Sequence, residues 1–260
     1  DQIVAQNLAS PQEVGVMTEL ARLTFEILAH AWRRRDVLLV DLKIEFGRLA
    51  GGENQGQLVI ADVIDNDSWR IWPQGREELM LDKQIYRNLE AVDDGALDRV
   101  KRAYERVADF VGTFPVMRSG MAAVIASSPA QIERANDIVK MLGQLGLPTV
   151  RHVASPSSTP AYVLQLTQQL ETSFGRLILI AVGENDLLRA MLDETSSAPV
   201  LDGTTDPQQL AMQCAKLLGL EDTVLFGRTL LMQANARSGI LHADAALQQQ
   251  APAPQGNALG

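Results

Sequence analysis

Four apolar runs, Met121–Ala126, Thr149–Ala154, Leu177–Val182 and Pro199–Leu201, alternate with helical stretches near 130–145, 160–172, 185–194 and 207–218. Strands that alternate with helices through short connections predict a parallel sheet wrapped by helices, because such strands are buried on both faces. Residues 116–247 therefore read as one α/β domain. The preceding 115 residues read differently. Met17, Leu20, Ala21, Thr24, Ile27, Leu28 and Ala31 recur at helical spacing and predict a helix over about 12–34, ending in Arg33, Arg34 and Arg35 where cations complement the dipole. Two β-rich runs follow, Val37–Phe46 and Leu58–Ile64, joined by a Gly-rich stretch that suits a hairpin with a long loop. A second helix is expected over about 96–111, capped by Asp93 or Asp94. The segment 248–260, rich in Gln, Ala and Pro, is expected to be a disordered tail.

Composition narrows the chemistry. The chain of 260 residues has 46% apolar and 21% charged residues, an ordinary globular balance, and its apolar runs fall short of the roughly 20 residues a membrane helix needs. A net charge of −9 argues against a general nucleic-acid binder, which needs a basic face. Cys214 is the single cysteine, and His30 and His152 lie far from it and from each other, so neither a disulfide framework nor a His/Cys metal site is expected. The first residues carry no secretory leader, and a cytoplasmic location is expected. The missing initiator Met marks the chain, at this stage, as a fragment or a processed form. Residues 1–115 hold 14 basic and 20 acidic residues against 9 and 12 in the remainder. Chemistry on charged small molecules is therefore sought in the first half.

The run Leu39–Gly47 is the most informative. As a continuous strand it would place Asp41, Lys43 and Glu45 on one face and Val40, Leu42, Ile44 and Phe46 on the other. That is the pattern of a polar site on a sheet floor, and equally of a solvated sheet face. Asp62 falls inside the second apolar run; if the two runs pair as a hairpin, Glu45 and Asp62 face one pocket. Two carboxylates with Lys43 between them suit a Mg²⁺-nucleotide, since Mg²⁺ takes one or two protein carboxylates and completes its octahedron with water and phosphate. The alternative puts Asp62 at a strand end, bonded to loop amides. Arg70, framed by Trp69 and Trp72, suits a phosphate or carboxylate. Lys83 and Arg87 stand at i, i+4 spacing, which a solvated helix face explains as well.

The block Asp41-Leu42-Lys43-Ile44-Glu45-Phe46-Gly47 resembles the signature of the phosphoribosylaminoimidazole-succinocarboxamide (SAICAR) synthetases. Ala61 to Pro73 and Asp82 to Arg87 resemble two further blocks of that family, in the same order, over about residues 12–112. They are closest to the bifunctional branch, in which the synthetase is fused to an aminoimidazole ribonucleotide (AIR) carboxylase domain. The resemblance implies ATP-dependent ligation of L-aspartate to carboxyaminoimidazole ribonucleotide, with ATP and Mg²⁺. It implies catalytic roles for Lys43, Glu45 and Asp62, with Glu45 and Asp62 on the metal, and substrate contacts from Asp67, Arg70, Lys83 and Arg87. It also implies that the family's nucleotide-binding β-rich half has no counterpart here, so that the isolated chain is incomplete as a ligase. For residues 116–247 it implies a flavodoxin-like carboxylase domain, acting as the core of a homo-oligomer. Its chemistry reads as eroded: Ala130 stands where that family has an acid and Ser157 where it has a histidine, and Ala181–Leu188 stand in place of a Gly-rich stretch. His152 reads as a packed residue. Ser127 and Ser128 suit an anion or, more simply, a helix start with Ser128 as the cap and Pro129 at the first position. A second function class therefore stands beside the ligase, a pseudoenzyme serving as scaffold or regulatory partner.

Overall fold

The computed structural model describes residues 2–88, 93–114, 120–153, 160–173, 176–183 and 187–250. The chain folds as two compact units, one formed by Asp1–Ser119 with Leu218–Val224, the other by Gly120–Leu217 with Leu225–Gly260.

In the first unit, a one-turn helix α1 (Gln2–Ala5) precedes α2 (Pro11–Arg33). Helix α2 begins where sequence reasoning places it, behind a reciprocal cap: Glu13 N–H donates to Ser10 Oγ at 3.2 Å, and Ser10 N–H donates to Glu13 Oε2 at 2.8 Å. Strands β1 (Val37–Leu42), β2 (Phe46–Arg48), β3 (Leu58–Ile60) and β4 (Trp69–Pro73) follow, then the single turn α3 (Gln84–Arg87) and the long α4 (Asp94–Gly112). Asp93 caps α4, accepting from Ala96 N–H at 2.6 Å. Trp32 packs edge-on against Trp69, Phe110 and Phe114, at centroid distances of 5.3, 6.1 and 4.8 Å. Around these rings Val37, Leu39, Ile71, Leu81, Ala103 and Val107 complete the core.

The strands differ from the expectation in three ways. The run Val37–Phe46 is two strands, not one: β1 ends at Leu42, and residues 43–45 are extended chain between sheets. β1 pairs antiparallel with β4, while β2 pairs with β3, giving two separate two-stranded sheets. The run Leu58–Ile64 is a strand only to Ile60, so Asp62 lies beyond the strand end, as the alternative reading has it. The reason is local. β4 itself was hidden in a segment dense in polar residues, yet Trp69 and Ile71 point into the core and supply the partner that β1 needs.

The second unit contains β5 (Gly120–Ala126), α5 (Ile132–Gln144), β6 (Thr149–Val153), α6 (Pro160–Ser173), β7 (Arg176–Val182), α7 (Leu187–Thr195) and β8 (Val200–Asp202), in close accord with the expected alternation. Its four strands are all parallel, in the order β6-β5-β7-β8. This is the flavodoxin-like order, and the fold is α/β. β5 and β7 are buried along almost their whole length. Ala135, Ile138 and Leu142 of α5, Val163, Leu166 and Leu170 of α6, and Leu188 and Leu192 of α7 bury themselves at helical spacing. At the end of β8 Gly203 N–H donates to Ala181 O at 2.7 Å, and a Cβ on Gly203 would stand 2.6 Å from that oxygen, so only glycine fits.

Helices α8 (Pro207–Gly219) and α9 (Thr223–Gln250) close the chain. α9 is absent from the sequence expectation, and residues 248–250 belong to it, not to a tail; residues 251–260 lie outside the described residues. Pro129 does open a helix, but a three-residue 3₁₀ turn, and Ser128 makes no side-chain capping bond there. Ser157 and Glu184–Asp186 lie outside the described residues.

Candidate active site

The geometry of the first unit turns on one extra residue. Leu39 pairs with Ile71 and Asp41 with Arg70, so two steps along β1 match one along β4 and Val40 is the bulged residue. Without the bulge Asp41 would share the inward face of Val37 and Leu39. With it, Asp41 emerges to solvent opposite Arg70, and Arg70 Nε donates to Asp41 Oδ2 at 2.9 Å, with Nη2 on the same oxygen. The Arg70 bond holds the Asp41 carboxyl below its ordinary range. From Asp41 to Phe46 the expected alternation survives as exposure, even though the strand does not: residues 41, 43 and 45 are exposed and 42, 44 and 46 half-buried.

Beyond the β1–β4 ladder, Lys43 N–H donates to Ser68 O at 2.7 Å, which fixes Lys43 beside the start of β4. Here a cavity of about 320 Å³ opens, lined by Asp41, Leu42, Lys43, Ser68, Trp69, Arg70, Lys83, Gln84 and Arg87. Four of the seven residues singled out from sequence thus meet in one cleft, and all four are cations. Lys83 and Arg87 arrive on the turn into α3, where the Lys83 ammonium also donates to Asp67 O. One carboxylate, Asp41, shares the lining with them and is paired with Arg70.

The carboxylates lie to one side. Glu45 and Asp62 are not among the residues lining this cavity. Ala61 N–H donates to Glu45 O at 3.0 Å, one step past the Phe46–Ile60 pair, so Glu45 lies opposite Ala61, and an ideal ladder would send Asp62 to the other face. The ladder has ended, however, and both acids act on one cation. Lys43 is ion-paired to Glu45, and that pairing, with a further attraction from Asp62, raises the Lys43 pKa. Asp62 Oδ1 also accepts from Val63 N–H at 2.8 Å. Among the described residues no group of three or more His, Cys, Asp or Glu could hold a metal. Asp67 is not among the lining residues, and Tyr104 Oη donates to its Oδ1 at 3.5 Å.

Sequence reasoning passed over Asn66 and Asp82, the two buried polar side chains of this region. Trp69 Nε1–H donates to Asn66 Oδ1 at 2.9 Å, and Asn66 Nδ2 donates to Leu81 O at 3.0 Å. Asp82 takes two backbone amides. Both residues stand within the blocks that carry the resemblance, but nothing in residue type or spacing marks either as buried.

Comparison with known proteins bears on this geometry. Residues 1–103 match the SAICAR synthetase family model. The phosphoribosylaminoimidazole-succinocarboxamide synthase of Roseiflexus sp. (strain RS-1) is 54% identical over 108 residues, 42% of this chain and 42% of that protein. The bifunctional phosphoribosylaminoimidazole carboxylase/phosphoribosylaminoimidazole succinocarboxamide synthetase of Drosophila melanogaster is 34% identical over 191 residues, 73% of this chain and 44% of that protein. A probable multifunctional protein of Caenorhabditis elegans is 30% identical over 264 residues, 91% of this chain and 62% of that protein. The chain resembles a SAICAR synthetase fused to a carboxylase-like domain. It spans less than two thirds of the length of each of these relatives. Among solved structures, the crystal structure of Treponema denticola PurE matches at a TM-score of 0.45 and 13% identity, over 49% of this chain and 98% of that one.

Proposed function

We propose that the first unit serves ATP-dependent ligation of L-aspartate to carboxyaminoimidazole ribonucleotide, a step of purine biosynthesis, in the cytoplasm. The observation that carries this reading is the convergence of Lys43, Arg70, Lys83 and Arg87 on one cleft. The ribonucleotide is a phosphate ester bearing a carboxylate, and a concave site lined by four cations and one carboxylate, Asp41, suits both groups. In the reaction the γ-phosphoryl group of ATP passes to a carboxylate oxygen and ADP leaves. The aspartate amine then attacks the acyl carbon, inorganic phosphate departs and the amine loses a proton. The residues bind, orient and neutralise charge, which is most of what phosphoryl transfer asks of a protein.

For Mg²⁺ the proposed holders are Glu45 and Asp62. Glu45 and Asp62 offer two hard oxygen donors that attract the Lys43 ammonium, a positive charge already drawn to where a cation would sit. Bound there, the ion would shield the phosphate oxygens. Glu45→Ala and Asp62→Ala in the full protein are expected to abolish aspartate-dependent product formation, followed by mass spectrometry, with unchanged circular dichroism. Near-normal turnover in both variants would refute the assignment.

For the second unit the reading is an assembly role without carboxylation. Ala130, in the turn after β5, has no titratable side chain where the resembled family has an acid. AIR carboxylation dependent on CO₂ would overturn this, and strictly monomeric light scattering would remove the assembly role.

A further inference from the structure

Asp82 is fully buried, with 0% of its surface exposed. A carboxylate in such a place is costly unless its oxygens are satisfied. Both are: Oδ2 accepts from Ile71 N–H at 3.0 Å, and Oδ1 accepts from Gln84 N–H at 2.9 Å. The position of those two amides gives the arrangement its meaning. Ile71 follows Arg70 in β4, and Gln84 follows Lys83 and opens the turn that carries Arg87. One side chain therefore joins the two pieces of backbone that bring three of the four cations to the cleft.

Each piece has other supports, the β1 ladder for β4 and the Lys83 ammonium on Asp67 O for the turn, but the Asp82 carboxylate bonds to both. β4 has a strand partner on one edge only, β1, and the Ile71 amide would otherwise be an unpaired buried donor. α3 is four residues long, too short to persist by its own hydrogen bonds. The neighbouring bonds, Leu81 N–H to Ile71 O at 3.2 Å and Asn66 Nδ2 to Leu81 O at 3.0 Å, place the chain but reach neither Gln84 nor the Lys83 turn. The chemistry also demands a carboxylate. Asparagine would present one acceptor and one NH₂ to two N–H donors, so it could satisfy only one of them.

We propose that Asp82 is a positioning residue, which couples β4 to the α3 turn so that Arg70, Lys83 and Arg87 close together on a phosphorylated sugar. The inference rests on the reading of the cleft as a substrate site. It adds a residue that never touches the ligand and a coupling that the cleft's lining does not reveal. Arg70 also feels the buried charge: its pKa is raised chiefly by Asp41, with Asp82 adding to the effect.

The test uses the intact chain, with ribose 5-phosphate as probe and ribose as control, by calorimetry and by amide and arginine Nε–H nuclear magnetic resonance. Wild-type protein is expected to bind ribose 5-phosphate and not ribose, and Arg70→Ala to lose that binding. Asp82→Asn is expected to weaken it by about tenfold to a hundredfold. In the wild type a single titration should move the Arg70 Nε–H and Gln84 N–H signals together; in Asp82→Asn the Gln84 signal should no longer follow. Combined with Lys83→Ala, Asp82→Asn should cost less than the product of the two single losses. Absence of wild-type binding would sink the cleft reading and the inference with it. Wild-type binding with an unaffected, folded Asp82→Asn would sink the inference alone. Should Asp82→Asn not fold, hydrogen exchange in the wild type decides: Ile71 and Gln84 amides should be comparably protected and slow further with ribose 5-phosphate, and a Gln84 amide exchanging like an exposed loop would overturn the proposal.

Discussion

Glu13 shows how much a single half-buried side chain can be asked to do. It accepts from Ser10 N–H at the start of α2 and from the Arg48 guanidinium of β2, at 3.0 Å to Nε. The Ser10 amide first, then Arg48, bring its pKa down from 4.5 to about 2. A carboxyl depressed in the folded state stabilises above its unfolded pKa and loses that contribution as pH falls through the folded one. Thermal melts are therefore expected to drop between about pH 4.5 and 2, and Glu13→Gln should flatten that part of the profile. Asp41 and Arg70 make a contrasting pair. Both are about half exposed, so Asp41→Asn should change unfolding free energy by no more than about 1 kcal/mol in urea titration. Ile71, fully buried beneath them, belongs to a different class: Ile71→Ala should cost about 2–5 kcal/mol by the same measurement.

Among elements, β8 carries the sharpest constraint. Gly203→Ala would drive a methyl into Ala181 O and the Val182 side chain, and overpacking of this kind costs about 1–3 kcal/mol, readable as a lowered melting temperature. The same scale shows why parts of this fold were legible in the sequence. β5 and β7 are continuous apolar runs that suit only a doubly covered strand, and Leu188 and Leu192 sit on the one buried stripe of α7. β4 was not legible, because its inward Trp69 and Ile71 alternate with Arg70 and Trp72 inside a polar stretch. The bulge at Val40 has no sequence signature of its own; it exists because β4 supplies one residue fewer than β1. α9 escaped because its small and polar residues, such as Gln233-Ala234-Asn235-Ala236, lack a continuous apolar stripe. The cations of the cleft were legible as residues but not as a group, since Lys43 reaches it from the chain just past β1, Arg70 from β4, and Lys83 and Arg87 from the segment that follows the buried Asp82.

For the molecule as a whole, charge bears on the proposed partner. The chain carries net −9, so its cationic cleft is a local exception on an acidic protein. Long polyanions meet repulsion beyond the cleft, whereas a small phosphate ester needs only the few ångströms inside it. Ribose 5-phosphate affinity should therefore fall as salt is raised, and duplex DNA should fail to bind at the same ionic strength, both checked by calorimetry. Among the described residues no helix is long and apolar enough to cross a membrane.

The unmatched residue in β1 also sets how this segment tolerates change in its gene. Loss of one codon within 49–57 only shortens an exposed connection. Loss of the Val40 codon would remove the unmatched residue, so that Asp41 follows Leu39 directly and stays outward, opposite Arg70. A one-codon deletion at Val40 should therefore be better tolerated than one within β4, which has no unmatched residue to lose.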